Sequence, residues 1–370
     1  MDTTNYPVVN LDELKQLVID AAPTGRPTLV LSPPGYGKSE TGASLARALG
    51  LKFAPLELGL TVPEEIGGVP VRDPNTGAVV RFPLGPIRAW CSEPCFGLID
   101  EVTRADATRQ GAAMTGVNER RWGDYVLHPQ TVIMLAGNEP DSGGVFSILD
   151  ALLNRCCVVR LRTAREEIQN YLRHAGAPPL ATPPPFDAAI YAEKRADFMA
   201  KWADYADGRP EMIASEPPRG FAETGALYPS GRAVVHACER LAARAARGLS
   251  TTDSVALAHV SGVVGRETGV LFMRLEELAG KLPTPAEINA NPKGARLPPD
   301  IESAVASLSL LPNLDNRALW IYLGRYGDNF AEISAAAAKR SIGKLPPPGD
   351  ADALKAFNVL NARIHRALSR

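Results

Sequence analysis

The chain lacks most of the features that would assign a chemistry at once. Its five cysteines, Cys91, Cys95, Cys156, Cys157 and Cys238, show no paired C-x-x-C spacing, which argues against zinc and for buried reduced thiols. The five histidines are scattered and form no H-E-x-x-H, so a metal site made of protein ligands alone is not expected. No stretch reaches about eighteen uninterrupted apolar residues. Met1 to Asn10 has neither a basic n-region nor an apolar core, so a cytoplasmic protein without a membrane partner is expected. Net charge is nearly absent as well. Forty basic and 41 acidic residues leave −1, which offers no global field for nucleic acid or an anionic membrane. There is no internal repeat and no low-complexity segment.

What is present is ordinary in bulk and specific in places. The 370 residues, 45% hydrophobic and 22% charged, suggest two or three domains with ample core. The stretch Leu31-Ser32-Pro33-Pro34-Gly35-Tyr36-Gly37-Lys38-Ser39 follows an apolar run from Pro27 and precedes helical spacing to Leu49. That order is a phosphate-binding loop between strand and helix. Gly35 and Gly37 let backbone N–H groups turn in around a β-phosphate, Lys38 reaches the β/γ oxygens and Ser39 can hold magnesium. Pro34, Gly35, Tyr36, Gly37, Lys38, Ser39 and Glu40 are the candidate nucleotide contacts, at a helix start whose free N–H groups favour an anion. The pattern G-x-x-x-x-G-K-S/T has glycine where Ser32 stands, so agreement is one residue short. The bland alternative is a Gly/Pro turn with one solvated lysine.

Phe96 to Glu101 reads as a short buried strand ending in two carboxylates, and strand ends are where open α/β sheets bind ligands. Asp100 would hold magnesium through its water shell. Glu101 would polarise the attacking water as general base, a role worth about 10²–10⁴ in rate. A further strand, Thr131 to Ala136, runs out at Asn138, which can orient that water or be a plain turn residue. Two hairpins interrupt the core, one flanking Asp73 to Gly77 and one around Gly123-Asp124, and a last strand runs from Cys156 to Leu161. Asn10, Glu13 and the apolar set Leu11, Leu14, Leu17 and Val18 predict a capped opening helix.

Together these pieces resemble the AAA+ ATPases, and specifically the MoxR-like branch related to dynein and magnesium-chelatase motor subunits. Ser32 to Ser39 looks like the Walker A loop, Leu98 to Glu101 like Walker B and Asn138 like sensor 1. Gly85-Pro86-Ile87 and Asp100-Glu101-Val102-Thr103-Arg104-Ala105 are similar to that branch's G-P-I/L and D-E-I-N-R-A segments. The two hairpins resemble its helix-2 insert and pre-sensor-1 hairpin. The resemblance implies that Arg155 is an arginine finger reaching a neighbouring subunit's ATP, worth about 10³–10⁵ in turnover. It also implies that Arg232, in Pro229 to Ala233, is sensor 2 and reports the γ-phosphate state. The family more often has proline at Gly231 and phenylalanine at Cys156. For Arg104, bracing the Walker B turn and making a subunit contact are equally open.

The fold class implied is α/β: a phosphate-loop AAA+ core with a parallel sheet and hairpin insertions, then a helical lid and a mostly helical C-terminal extension. The expected division is core 1–162, lid 163–282 and extension 283–370. Prolines at Pro178-Pro179, Pro183 to Pro185 and Pro217-Pro218 break the lid, and Asp253 to Leu282 reads as one helical run with an apolar face. The expected function is Mg²⁺- and ATP-dependent hydrolysis in a homo-oligomer, a ring of six, that remodels or matures a partner. Leu282 to Ile288 with Asn291-Pro292 resembles tails of stand-alone MoxR-like proteins, whose partners carry a von Willebrand A-type or metallopeptidase-like domain. A nucleic-acid translocase and a nucleotide-gated scaffold with little turnover are the alternatives.

Overall fold

The computed structural model describes residues 5–139, 146–173, 180, 182–214, 216–217, 226–326, 330–342 and 349–368. Pro178, Pro179 and Pro218 lie outside the described residues. The chain divides into two compact units, Met1–Arg195 with Ser215–Gly269, and Ala196–Ala214 with Val270–Arg370.

The first unit is built on a six-stranded parallel sheet. Its strands are β1 (Val8–Val9), β2 (Thr28–Ser32), β3 (Lys52–Glu57), β6 (Cys95–Asp100), β9 (Val132–Asn138) and β10 (Cys157–Leu161), in the order β1-β10-β2-β9-β6-β3. The central strands are near-continuous apolar runs because both faces are covered: β2 is buried at all five positions. The expected hairpins form the antiparallel pairs β4 (Val69–Arg72) with β5 (Val79–Phe82), and β7 (Arg121–Trp122) with β8 (Tyr125–Val126).

The helices of this unit are α1 (Leu11–Ala21), α2 (Lys38–Leu49), α3 (Pro63–Gly67), α4 (Gly85–Ser92), α5 (Ala107–Glu119), α6 (Asp150–Leu153) and α7 (Arg165–Arg173). After them come α8 (Ala188–Gly208), α9 (Gly231–Ala245), α10 (Ser254–Val264) and α11 (Arg266–Ala279), of which α8 and α11 run across the division. α1 begins with the capping box predicted for Asn10 and Glu13. The single helical run expected from Asp253 to Leu282 is instead two helices, α10 and α11, broken at Gly265. That residue has φ 91°, and a Cβ on it would lie 2.6 Å from Leu227 O, so the chain must turn there and only glycine fits.

One side of the sheet is sealed by two tryptophans. Trp90 and Trp122 meet edge-on at 5.2 Å, and the Trp90 indole N–H donates to Ala54 O at 2.9 Å. Gly97 on β6 and Gly116 on α5 make room for these rings, since a Cβ at either would come within 2.8 Å of ring carbons. Trp122 is therefore a packing residue, 1% exposed.

A buried polar network ties α9 to the start of β2. Arg240 donates to Pro27 O and to Thr28 Oγ1 at 2.9 and 2.8 Å, and Arg244 pairs with Asp20 of α1. His259 of α10 lies between Arg240 and Asp20, at 3.1 and 3.4 Å. Arginine only donates, so His259 Nδ1 accepts and its Nε2–H donates to Asp20.

The second unit is helical among the described residues and contains α12 (Pro285–Ala290), α13 (Ile301–Ala306), α14 (Asn316–Gly324), α15 (Ala331–Ile342) and α16 (Ala351–Leu368). Within it Trp202 stacks on Phe272 at 4.3 Å, and Glu276 accepts from both Lys201 and Tyr205.

Candidate active site at the phosphate loop

Strands β2, β9 and β6 end at one edge of the sheet, with Ser32 opposite Asn138 and Ile99 opposite Leu135. The chain leaves β2 through Pro33 to Gly37 and enters α2, whose N-cap is Gly37. Gly35 and Gly37 adopt φ 83° and 75°, which a residue with a Cβ rarely accepts. A Cβ built at either meets no atom within 4 Å, so both glycines border open space beside the helix N-terminus.

Lys38 projects into this edge and is mostly buried. Its ammonium donates to Ser32 Oγ at 2.9 Å, to Ser32 O at 3.3 Å and to Asn138 Oδ1 at 3.0 Å. The serine standing where the pattern has glycine is thus a direct partner of the lysine. Burial depresses the Lys38 pKa, against the opposing pull of Asp100, Glu139 and Glu101. Ser39 Oγ donates to Asp100 Oδ2 at 2.7 Å, across 61 residues of sequence. Asn138 is held by its own N–H, which donates to Thr103 Oγ1 at 2.8 Å. The structure therefore brings Lys38, Ser39, Asp100 and Asn138 together.

Glu101 sits one residue beyond β6 in the left-handed region, at φ 56° and ψ 35°. Its Oε1 accepts from Arg104 Nη1 at 2.8 Å. This contact assigns Arg104 a local partner that spacing could not.

Pro34, Gly35, Tyr36, Gly37 and Glu40 line one wall of a cavity of about 440 Å³, whose other walls include Leu11, Ile168 and Tyr171. The described residues hold no group of three or more His, Cys, Asp or Glu side chains able to bind a metal. A hard cation here would rely on Ser39 and Asp100 together with ligand oxygens.

Three further residues at this edge were not evident from the sequence. Glu139, next to Asn138, accepts from Arg160 at 3.0 Å and Arg162 at 2.7 Å. Burial works to raise the Glu139 pKa, but the Arg162 and Arg160 bonds outweigh it and lower it. No motif marks these positions; the alternation Arg160-Leu161-Arg162 at the end of a strand was the one available signal.

Arg155 and Arg232 stand elsewhere. Arg155 lies two residues before β10, whose first residue, Cys157, pairs with Thr28 at the start of β2. It is thus at the sheet edge opposite the phosphate loop. Its Nη1 donates to Ala151 O, and its Nε is buried without a hydrogen-bond partner among the described residues. Burial first, and then repulsion from nearby Arg232, depress the Arg155 pKa. Burial first, then the charges of Arg26 and Arg240 and, after them, of Arg232 and Arg155, hold His236 down at about 3. The structure brings Arg155 and Arg232 to each other and not to Lys38.

No protein-family model matches the chain. Over 110 residues it is 33% identical to a Lon protease of Methylocella silvestris, a match spanning 27% of this chain and 13% of that relative. A solved structure of a candidate ATPase from Cytophaga hutchinsonii is 16% identical, with 70% of this chain and 84% of that one covered, at a TM-score of 0.36.

Proposed function

We propose that this chain is an AAA+ ATPase of the MoxR-like branch, which hydrolyses Mg-ATP at subunit interfaces of a homo-oligomeric ring and uses the cycle to remodel or mature a partner protein. The observation that carries the reading is the convergence at one sheet edge: Lys38 on Asn138 and Ser32, and Ser39 on Asp100, beside a loop whose two glycines adopt left-handed backbone and border open space. Lys38 donates to the oxygens of Ser32 and Asn138, and phosphate oxygens are stronger acceptors for the same ammonium.

The residues divide the work accordingly. The loop N–H groups and Lys38 bind the β- and γ-phosphates, and Pro34, Tyr36 and Glu40 flank the nucleotide in the adjoining cavity. Ser39 and Asp100 would hold Mg²⁺, which when bound neutralises charge on the phosphates. Glu101 takes the proton of the attacking water, and Asn138 orients that water. Arg155 and Arg232 complete the site of the next protomer. Two guanidiniums crowded together suit an anion brought from outside. The working division is core 1–162, lid 163–282 and extension 283–370, in a cytoplasmic ring of six. The client is a protein with a von Willebrand A-type or metallopeptidase-like domain.

Steady-state ATP hydrolysis against protein concentration tests this, with Glu101→Gln and Arg155→Ala beside the parent. Specific activity should rise with concentration, and both variants should lose it while still binding nucleotide. Activity that is independent of concentration and untouched by Arg155→Ala would refute the shared site and leave a self-contained NTPase.

A further inference from the structure

The parallel register puts Arg160 of β10 opposite Leu31 of β2, and Asn138 of β9 opposite Ser32. In the order β10-β2-β9, Arg160 and Arg162 thus flank the root of the phosphate loop on one side and Glu139 flanks it on the other. Both guanidiniums reach across the end of β2 to the one carboxylate, Arg160 Nε at 3.0 Å from Oε1 and Arg162 Nη2 at 2.7 Å from Oε2. Two cations share one anion, so the triad keeps a net positive charge. It keeps that charge beside Lys38, because the Ser32 carbonyl accepts from the Lys38 ammonium and from the Glu139 N–H, each at 3.3 Å.

The three members are not equally free. Side-chain exposure is 10% for Glu139, 18% for Arg160 and 34% for Arg162, so Arg162 has the most room to turn. Its backbone is fixed, since its N–H donates to Val9 O at 3.0 Å; apart from Glu139, its guanidinium donates to the neighbouring Leu161 O at 2.9 Å. The group lies close to the loop. The bond to Glu139, against the opposing effect of burial, raises the Arg162 pKa, and Tyr36 of the loop adds to it through charge. The next residue, Thr163, lines the same cavity as Pro34, Gly35, Tyr36 and Gly37.

We infer that Arg162 is a phosphate ligand in the same subunit as the loop: Glu139 presents its guanidinium there, and the phosphate chain of a bound nucleoside triphosphate takes it over from the carboxylate. The inference rests on the reading of the loop as a nucleotide site, and deepens it by adding a cation that no motif marks. A guanidinium can exchange one oxyanion for another and keep charge-assisted bonds throughout. Arg160 stays behind, so Glu139 is not left unpaired when Arg162 turns away.

Binding of a non-hydrolysable ATP analogue, measured by titration calorimetry, tests this. Arg162→Ala should weaken it about tenfold or more, as expected for the loss of hydrogen bonds between charged groups. Arg160→Ala removes an equal charge from the same carboxylate and should weaken binding by less than about threefold, because that side chain touches no ligand. Glu139→Gln removes the competing anion and should leave binding at the parent level or tighten it. Glu139→Gln combined with Arg162→Ala leaves no carboxylate short of a partner, so it separates ligation from support of the fold. It should still bind about tenfold or more weakly than Glu139→Gln alone. A triad that only braces the loop gives the opposite pattern: Glu139→Gln weakens binding as Arg162→Ala does, and the double variant returns towards the parent. Either result overturns the inference, as does an equal loss in Arg160→Ala. A parent that binds no analogue refutes the nucleotide reading itself; a parent that binds it, with Arg162→Ala unchanged, refutes the role of Arg162 alone.

Discussion

Replacing Asp20 by asparagine should cost this protein far more than the loss of one carboxylate usually does. Asp20 is fully buried, and the described side chains bonded to it are donors: Gln16 Nε2 at 3.0 Å, the Arg244 guanidinium, and His259 Nε2 at 3.4 Å. Burial alone would raise its pKa, but the bond from His259 and the charges around it outweigh burial and hold Asp20 ionised. An amide in its place keeps one acceptor and turns an N–H₂ towards a neighbour that also donates. Breaking a buried pair from one side costs about 3–5 kcal/mol. Arg244 retains Asp253 at 2.7 Å, so the lower end applies and we expect about 3 kcal/mol. For a folding unit of this size that is a fall in Tm of roughly 6–12 °C. Thermal unfolding of Asp20→Asn at pH 7.5, followed by circular dichroism, gives the number. Glu93→Gln is the control, because the Glu93–Lys52 pair is exposed on both sides; its Tm should stay within about one degree. A Tm for Asp20→Asn within about 2 °C of the parent would refute the reasoning, because it would mean the network relaxes around a missing charge.

The same network predicts a pH dependence. Burial, ahead of the neighbouring Arg240 and Arg244 charges, holds His259 down at about 4, although its bond to Asp20 pulls upward. The unfolded chain binds that proton near pH 6.5 and the folded one does not, so stability is full above about pH 6.5 and falls towards pH 4, by about 3 kcal/mol for this residue. Tm flat between pH 7.5 and 4.5 would contradict it. Lys38→Met should abolish the rise in Tm that saturating ATP gives the parent, about 2.7 kcal/mol at 100 times Kd, while leaving the ligand-free Tm nearly unchanged. Retention of the nucleotide-induced shift would remove Lys38 from the site. Gly116→Ala sets a Cβ 2.1 Å from Trp122 ring carbons and should destabilise by about 1–3 kcal/mol, with a shift in tryptophan emission. Unchanged unfolding would mean that α5 and the β7–β8 hairpin are not packed as described.

Much of the first unit was legible because its signals are local. A strand, two glycines with a lysine and serine, and helical spacing lie within 25 residues, and each imposes its own backbone geometry from Pro27 to Leu49. The carboxylate-ended strand, the Asn10 cap and both hairpins were likewise fixed by period and turn residues, and the α/β class followed from them. The run from Asp253 to Leu282 was misread as one helix because its apolar spacing continues through Gly265. What ends the helix there is Gly265 itself, whose φ of 91° leaves the helical region, and the packing of Leu227 O against it, distant in sequence, is what keeps a Cβ out.

Which side chains meet was decided only by the tertiary fold. Sequence marked Lys38, Asp100 and Asn138 as separate candidates; the parallel order β2-β9-β6 is what aligns their strand ends at one edge. The Arg104–Glu101 pair depends on a left-handed backbone and on space at Gly59. The bonds from Arg160 and Arg162 to Glu139, and from Arg240 and Arg244 to Thr28 and Asp20, join residues 21 to 224 positions apart. Local propensity acts through neighbours along the chain and can be read from them. A charge or hydrogen bond acts through space, and its partner is fixed only when packing brings distant segments together.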